Sequence, residues 1–267
     1  MTSIQTSTQP RTILLTGFGP FPGMPFNVSV QVAHRLADAA RARWPHHIVE
    51  AYELPTEWIA GPDLVHRLWG RLRPDIALHF GVASEAPGMQ IETSARNNCR
   101  MDPDATGALP LSSERIAGGR DALAASLPID AIMRRLQVLR VPSCISEDAG
   151  AYLCNAVLYE SVVHASVARP VALAGFVHIP PHLDGVDVSG QHGHDPVPCS
   201  ESDFDAEALD ISAHDALGPE QRETVAQPLA GMSIDALVVG GLAILECSLE
   251  HLSVLRSTEA VDNQQHS

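Results

Sequence analysis

Residues 171–179 read VALAGFVHI, an almost uninterrupted apolar run that ends near a histidine and is followed by two prolines. A short run of β-branched and aliphatic residues is typical of a strand buried on both faces of a parallel sheet. Similar runs lie at 12–17 (TILLTG), 48–54, 75–82 (DIALHFGV) and 138–142, separated by longer segments with helical periodicity. This alternation predicts a three-layer α/β/α sandwich with a mostly parallel central sheet. We expect a single domain over residues 1–267.

The longer segments carry the start and stop signals of helices. From Val28 to Arg43 apolar side chains recur every four residues, and Asn27 precedes them as a candidate N-cap. Pro62 suits the first turn of a second helix, which must end before Pro74. Further helices are predicted at about 128–137, 151–168 and 232–254.

One acidic segment, at about 185–228, breaks the pattern. It is rich in Asp, Glu, Gly, Pro, Ser and His and shows little apolar periodicity. Such a composition buries too little apolar surface to offset the entropy of ordering, so we expect a mobile insertion between the last strand and the last helix. The histidines in and near it lack the tight spacing of metal ligands, and we expect no metal there: His182, His192, His194 and His214.

Charge and composition exclude several classes of partner. The formal net charge is −15, whereas nucleic acids and anionic lipids are bound by clustered Lys and Arg. The N-terminus is polar, and we see no apolar run of about 18 residues, the length that a membrane helix needs. We therefore expect a cytoplasmic enzyme that acts on a small or peptide substrate, with no nucleic-acid or membrane partner.

Cys154 has a different setting from the other cysteines. The chain has five, widely spaced and without a C-x-x-C pair, so all are interpreted as free thiols. Residues 147–154 (EDAGAYLC) lead into a predicted helix, which places Cys154 near its N-terminus. Unpaired N–H groups there favour a thiolate and stabilise an oxyanion. The alternative for Cys154 is an ordinary buried core cysteine.

Two further residues could complete a catalytic arrangement. His178 lies at the carboxyl end of the apolar run, where α/β sheets gather their ligand sites. Glu92 follows the strand that begins at Asp75, and a carboxylate there could fix the tautomer of an imidazole. The alternatives are a structural histidine and a solvated loop glutamate.

Together the motifs resemble those of the pyroglutamyl peptidase I family. Residues 16–23 (TGFGPFPG) with 27–29 (NVS) are similar to the family's T-G-F-x-P-F-x-G…N-x-S opening. Residues 147–155 (EDAGAYLCN) resemble its nucleophile motif, particularly the D-A-G-x-Y-L-C form of some members, and 176–180 (FVHIP) resemble its histidine motif. The interval from Gly81 to Glu92 and residues 126–129 (SLPI) also match, so the resemblance covers about 12–182 and resumes near Met232.

The resemblance implies a cysteine peptidase that removes an N-terminal pyroglutamyl residue from peptides with a blocked N-terminus, without a cofactor. Its implied triad is Cys154, His178 and Glu92. Phe18 and Phe21 correspond to aromatics of the pyroglutamyl pocket, although core packing is equally open for both. Tyr152 would lie near the mouth, and Arg100 corresponds to an arginine that some members place near the site.

Two alternatives to this function stay open: a related peptidase with altered N-terminal specificity, and a non-catalytic binding protein on the same scaffold. The oligomeric state, homo-oligomers included, is also open. A phosphate-binding turn at GFGPFPG is disfavoured because Pro20 and Pro22 remove backbone donors.

Overall fold

The computed structural model describes residues 9–181 and 232–265, with side chains through Thr258 in the second range. The predicted insertion at 185–228 lies outside the described residues. Within them the strands are β1 (Thr12–Phe18), β2 (Ile48–Leu54), β3 (Ile76–Val82), β4 (Met89–Glu92), β5 (Ser94–Arg96), β6 (Ala122–Ala124), β7 (Ser143–Ser146) and β8 (Leu173–Ile179). Strands β5 and β6 form a small antiparallel ladder apart from the main sheet.

The main sheet has six strands in the order β2-β1-β3-β8-β4-β7. The pairs β1–β2, β1–β3, β3–β8 and β4–β7 are parallel, and only β4–β8 is antiparallel among these pairs. The prediction of a mostly parallel sheet is confirmed. The predicted strand at 138–142 is wrong, because Val138 ends a helix and Arg140 adopts a left-handed conformation with φ of 55°.

The helices lie on both faces of the sheet and give the predicted three layers. They are α1 (Val28–Arg43), α2 (Ala60–Leu72), α3 (Ile129–Val138), α4 (Leu153–Val167) and α5 (Ile234–Gln265). Helices α1, α3 and α5 share one hydrophobic core with the sheet, and α2 and α4 share the core on the other face.

Local signals account for several helix ends. The Asn27 side chain accepts a hydrogen bond from Ser29 N at 3.1 Å, so it caps α1 as predicted. Pro62 lies in the first turn of α2, where a missing N–H breaks no helical bond. Helix α2 ends at Leu72, and its C-cap Arg73 has a left-handed conformation directly before Pro74.

Helix α5 is the exception to our expectation about long apolar segments. Ile234–Thr258 has the length and composition of a membrane-spanning helix, with a mean hydropathy of 1.5 in its most apolar window. Half of that window is buried inside the protein. Leu237, Ile244 and Leu252 belong to the core with α1 and α3, so α5 is a core helix of this fold.

Candidate active site

The sheet brings the predicted glutamate and histidine together through the antiparallel pair of β4 and β8. Glu92 is the last residue of β4, and His178 lies near the end of β8. In the β4–β8 ladder Gln90 is opposite His178 and Glu92 is opposite Phe176. Residues opposite each other, and residues two apart on one strand, share a face of the sheet. Glu92 and His178 are therefore diagonal neighbours on the same face.

His178 makes hydrogen bonds on two sides. Its Nδ1 lies 2.7 Å from Glu92 Oε1, and the ring also forms a hydrogen bond with Cys154. Both His178 and Glu92 are buried, at 2% and 0% exposure, so Glu92 is not a solvated loop residue. Burial by itself lowers the pKa of His178, but the nearby Cys154 and Glu92 outweigh it and raise that pKa well above its usual value. The imidazolium form is thus stabilised by the negative charge of Glu92 and by that of Cys154 when its thiol is deprotonated.

Cys154 is the second residue of α4 and is partly exposed to a cavity. Two other free cysteines, Cys99 and Cys247, are buried, and burial raises the pKa of each thiol. Both are therefore poor nucleophiles. Cys144 is disulfide-bonded, so the prediction that all five cysteines are free is wrong.

A glycine makes room for the thiol. Gly81 lies on β3 opposite His178 of β8, and a Cβ placed there would lie 2.9 Å from Cys154 Sγ and 2.7 Å from Phe176 Cζ. Real Cβ atoms do not approach other atoms so closely. The thiol can thus occupy its position because residue 81 has no side chain.

The cavity in front of Cys154 has a volume of about 510 Å³. Six of the seven site residues predicted from the sequence line it, while Glu92 lies behind His178. The six are Phe18, Phe21, Arg100, Tyr152, Cys154 and His178. A cavity of this size fits a small ring and the adjoining peptide group.

The aromatic residues of the cavity differ in how firmly they are held. Phe18 is only 3% exposed and packs on Phe176 with ring centroids 6.4 Å apart, so it belongs to both the core and the cavity wall. Phe21 is half-buried on the loop that follows β1. Tyr152 packs edge-to-face on Trp58, and its hydroxyl donates to the Pro103 carbonyl at 2.9 Å.

Two polar side chains of the cavity, Tyr152 and Arg100, lie close to acidic residues. Burial, followed by nearby negative charges, raises the pKa of Tyr152 to about 12, so its hydroxyl stays protonated. Arg100 lines the cavity with its Nε 2.5 Å from Asp102 Oδ2. The guanidinium is therefore paired with Asp102 and only partly available to a ligand.

Two buried residues that support the site were missed by the sequence analysis. Gln90 Nε2 donates to Glu92 Oε1 at 3.2 Å, which holds the carboxylate beside His178. Asn155, next to Cys154, accepts from Arg96 N and donates to Arg96 O, both at 2.8 Å, and so fixes the start of α4. No local sequence signal identifies either one, because each depends on contacts distant in the chain.

Asp104 organises a loop that forms one wall of the cavity. One carboxylate oxygen accepts from Trp58 N at 2.9 Å. The other accepts from Thr106 N, Thr106 Oγ1 and Ala108 N at 2.7–3.0 Å. These hydrogen bonds outweigh burial and lower the pKa of Asp104, so the carboxylate is ionised and the loop is fixed. An Asp followed two residues later by Thr was the available signal for this turn.

A thiol at a helix N-terminus, an imidazole and a buried carboxylate, joined in this order, define a cysteine-type hydrolase. Comparison with known proteins agrees with this class. The family model described as pyroglutamyl peptidase matches residues 11–217. This chain belongs to the pyroglutamyl peptidase family, whose members are cysteine peptidases that remove N-terminal pyroglutamate.

Individual relatives support the same assignment. A pyrrolidone-carboxylate peptidase of Chromobacterium violaceum is 37% identical over 174 residues, which cover 64% of this chain and 78% of that protein. One from Thermococcus onnurineus is 33% identical over 171 residues, or 63% of this chain and 82% of that protein.

Solved structures share the fold. Pyroglutamyl peptidase I of Bacillus amyloliquefaciens has a TM-score of 0.67 at 22% identity, covering 91% of this chain and 98% of that one. A pyrrolidone carboxyl peptidase variant from Pyrococcus furiosus has a TM-score of 0.66 at 24% identity, covering 90% and 99%. The predicted α/β sandwich is confirmed by these similarities. The family match ends at residue 217 and so includes most of the acidic segment, whose interpretation as an insertion stays a prediction.

Proposed function

We propose that this chain removes N-terminal pyroglutamyl residues from peptides, with Cys154 as nucleophile, His178 as general base and Glu92 as the orienting carboxylate. The observation that carries the proposal is a single buried imidazole that forms hydrogen bonds with both Glu92 and Cys154. The partly exposed Cys154 opens on the cavity, where a substrate carbonyl has access to its sulfur.

The chemistry follows from these contacts. Glu92 occupies Nδ1 of His178, which leaves Nε2 for Cys154. The imidazole takes the thiol proton, and the thiolate attacks the pyroglutamyl carbonyl carbon. Backbone N–H groups in the first turn of α4 stabilise the oxyanion. His178 then protonates the leaving amine, and afterwards activates the water that hydrolyses the thioester.

The cavity suits a lactam, which has no charge and no free amine. Phe18 and Phe21 supply apolar surface for the ring, and Tyr152 lies beside the nucleophile, two residues away in the chain. Arg100, held by Asp102, lies at the cavity as a donor for the substrate's carbonyl groups. The substrate is thus a peptide with a blocked N-terminus, and a net charge of −15 suits neither nucleic acid nor an anionic membrane. We place the enzyme in the cytoplasm, as a single domain.

The test is hydrolysis of a fluorogenic pyroglutamyl amide by the full chain. Wild type should release the fluorophore, and Cys154→Ala and His178→Ala should each lose several orders of magnitude in kcat with the fold intact by circular dichroism. Cys99→Ala and Cys247→Ala are the matched controls and should keep activity. Iodoacetamide inactivation without labelling of Cys154, located by mass spectrometry, would contradict the assignment.

A panel of other N-terminally blocked amides, such as acetyl and formyl amino acids, tests the range of substrates. Preference for one of these over pyroglutamyl would replace the proposed specificity with that of a related peptidase. Hydrolysis of none would leave a binding protein on this scaffold.

A further inference from the structure

We propose a binding site for a divalent transition-metal ion of the Zn²⁺ class at His66, Glu160 and His164, on the face that α2 and α4 present to each other. It is separate from the proposed active site. Glu160 and His164 are one turn apart on α4, and His66 lies on α2. Glu160 and His164 follow Cys154 by six and ten residues on the same helix. At about 1.5 Å per residue, they lie roughly 9–15 Å along α4 from the thiol.

The three ligand atoms form a compact triangle. His66 Nδ1 lies 3.2 Å from Glu160 Oε1, His164 Nε2 lies 3.5 Å from the same oxygen, and the two nitrogens are 3.1 Å apart. A tetrahedral ion with bonds of about 2.0–2.1 Å separates neighbouring ligand atoms by about 3.3 Å. The triangle therefore has the dimensions of one face of a tetrahedral coordination shell.

The hydrogen-bonding chemistry of the cluster also favours an ion. Each neutral imidazole has one proton, and the carboxylate oxygen has none. With one proton on each ring, at most two of the three contacts in this triangle can be N–H donations. One cation would bind all three atoms at once.

Neighbouring side chains hold two of the ligands in place, as partners of metal ligands commonly do. Glu160 is 9% exposed, and its other oxygen, Oε2, is 3.1 Å from Arg115. The ring of Trp69 stacks on His164 at 5.7 Å with planes 12° apart. Trp69 is itself fixed, because its Nε1 donates to Ser161 Oγ at 2.8 Å.

The choice of ion follows from the ligand types. Two imidazoles and one carboxylate suit Zn²⁺ or Co²⁺, whereas Mg²⁺ and Ca²⁺ prefer oxygen ligands throughout. His66 is 64% exposed, which leaves the fourth position open to water. A bound ion would tie α2 to α4, the helix that carries Cys154.

The experiment uses the full chain with Cys154→Ser, because the thiol would otherwise bind the same ions. Metal-free protein is titrated with Co²⁺, followed by visible absorption, and with Zn²⁺ by calorimetry. His66→Ala and His164→Ala are compared with His34→Ala, a control that removes an exposed histidine from α1. Circular dichroism of the metal-free proteins checks that each variant is folded.

The reference protein is the Cys154→Ser chain with all histidines present. It and its His34→Ala variant should each bind one more equivalent of Co²⁺ and of Zn²⁺ than the His66→Ala and His164→Ala variants do, or should bind that equivalent at least about tenfold more tightly. Zn²⁺ should raise their Tm, Mg²⁺ should not compete, and the Co²⁺ bands should be those of a tetrahedral site. Because His66 is largely exposed, His66→Ala decides the question even if His164→Ala fails to fold. Equal stoichiometry, affinity and Tm shift in the reference and His66→Ala would overturn the site.

Discussion

Gly81→Ala tests whether the position of the thiol, rather than its presence alone, limits catalysis. The new methyl group would lie 2.9 Å from Cys154 Sγ, 2.7 Å from Phe176 Cζ and 3.1 Å from Phe176 Cε1. Gly81 is on a central strand next to His178 of β8. The neighbours must therefore move, because the backbone of β3 is held by pairing on both sides.

The size of the effect follows from these distances. Carbon atoms in good contact are about 3.5–4.0 Å apart, so the thiol or the Phe176 ring must move by roughly 1 Å. A misplacement of about 1 Å at a reacting group costs about 10²-fold in rate. Overpacking of this kind destabilises the fold by about 1–3 kcal/mol. We expect kcat to fall about 100-fold, with a smaller change in KM because the cavity walls remain.

The assay is steady-state hydrolysis of a fluorogenic pyroglutamyl amide, with urea unfolding of the same samples. Gly70→Ala is the matched control, since a Cβ there meets nothing within 4 Å. It should leave kcat unchanged and stabilise helix α2 by about 0.5–1 kcal/mol. A kcat for Gly81→Ala within about threefold of wild type would refute the inference that a 1 Å shift of the thiol matters.

Three further predictions concern Glu92, the phenylalanines Phe18 and Phe21, and His79, a buried histidine of β3 outside the cavity. Glu92→Gln keeps the shape of the carboxylate but not its charge. Its kcat should therefore fall by less than that of Cys154→Ala, and iodoacetamide should label its Cys154 more slowly than that of wild type near neutral pH. Superimposable labelling profiles with full turnover would contradict this. Phe18→Ala should lower the free energy of unfolding by about 3–5 kcal/mol because Phe18 is buried. Phe21 is only half-buried, so Phe21→Ala should chiefly raise KM. Equal losses of stability of the two variants in urea would contradict this difference. Burial lowers the pKa of His79 to about 3 from 6.5, so between these pH values only the unfolded chain gains the proton. The wild type should therefore lose stability with falling pH by up to about 1.4 kcal/mol per pH unit more than His79→Gln, and parallel curves of unfolding free energy against pH would exclude this linkage.

The sequence predicted the long, strongly patterned elements and failed on the short ones. Four long strands and the starts of α1 and α3 agree with the pattern to within about two residues. Strand β4 was missed because MQIE is only four residues long, and its two polar residues are buried by pairing rather than exposed. The strand prediction at 138–142 failed because Val138 and Leu139 are apolar yet exposed at the end of α3.

The site was predictable only in part, for a physical reason. Cys154 and His178 lie at element ends that local patterns identify. Gln90 supports Glu92 only because β4 lies next to β8, and Asp104 joins Trp58 across 46 residues of chain. His66 and Glu160 are 94 residues apart and meet only because α2 packs on α4. Such contacts come from tertiary packing, which no local window of sequence encodes.

The antiparallel placement of β4 beside β8 separates the residues proposed for catalysis from those that line the substrate cavity. The imidazole and carboxylate are borne by ladder-paired interior strands, whereas the cavity walls come from loops after β1, near Asp104 and before α4. Libraries randomised in those loops should therefore yield new acceptors of blocked amino acids without disturbing proton transfer. Random changes in β4 should instead inactivate these variants whatever their substrate preference. The sheet would serve as a constant scaffold for engineering aminopeptidases with other N-terminal preferences.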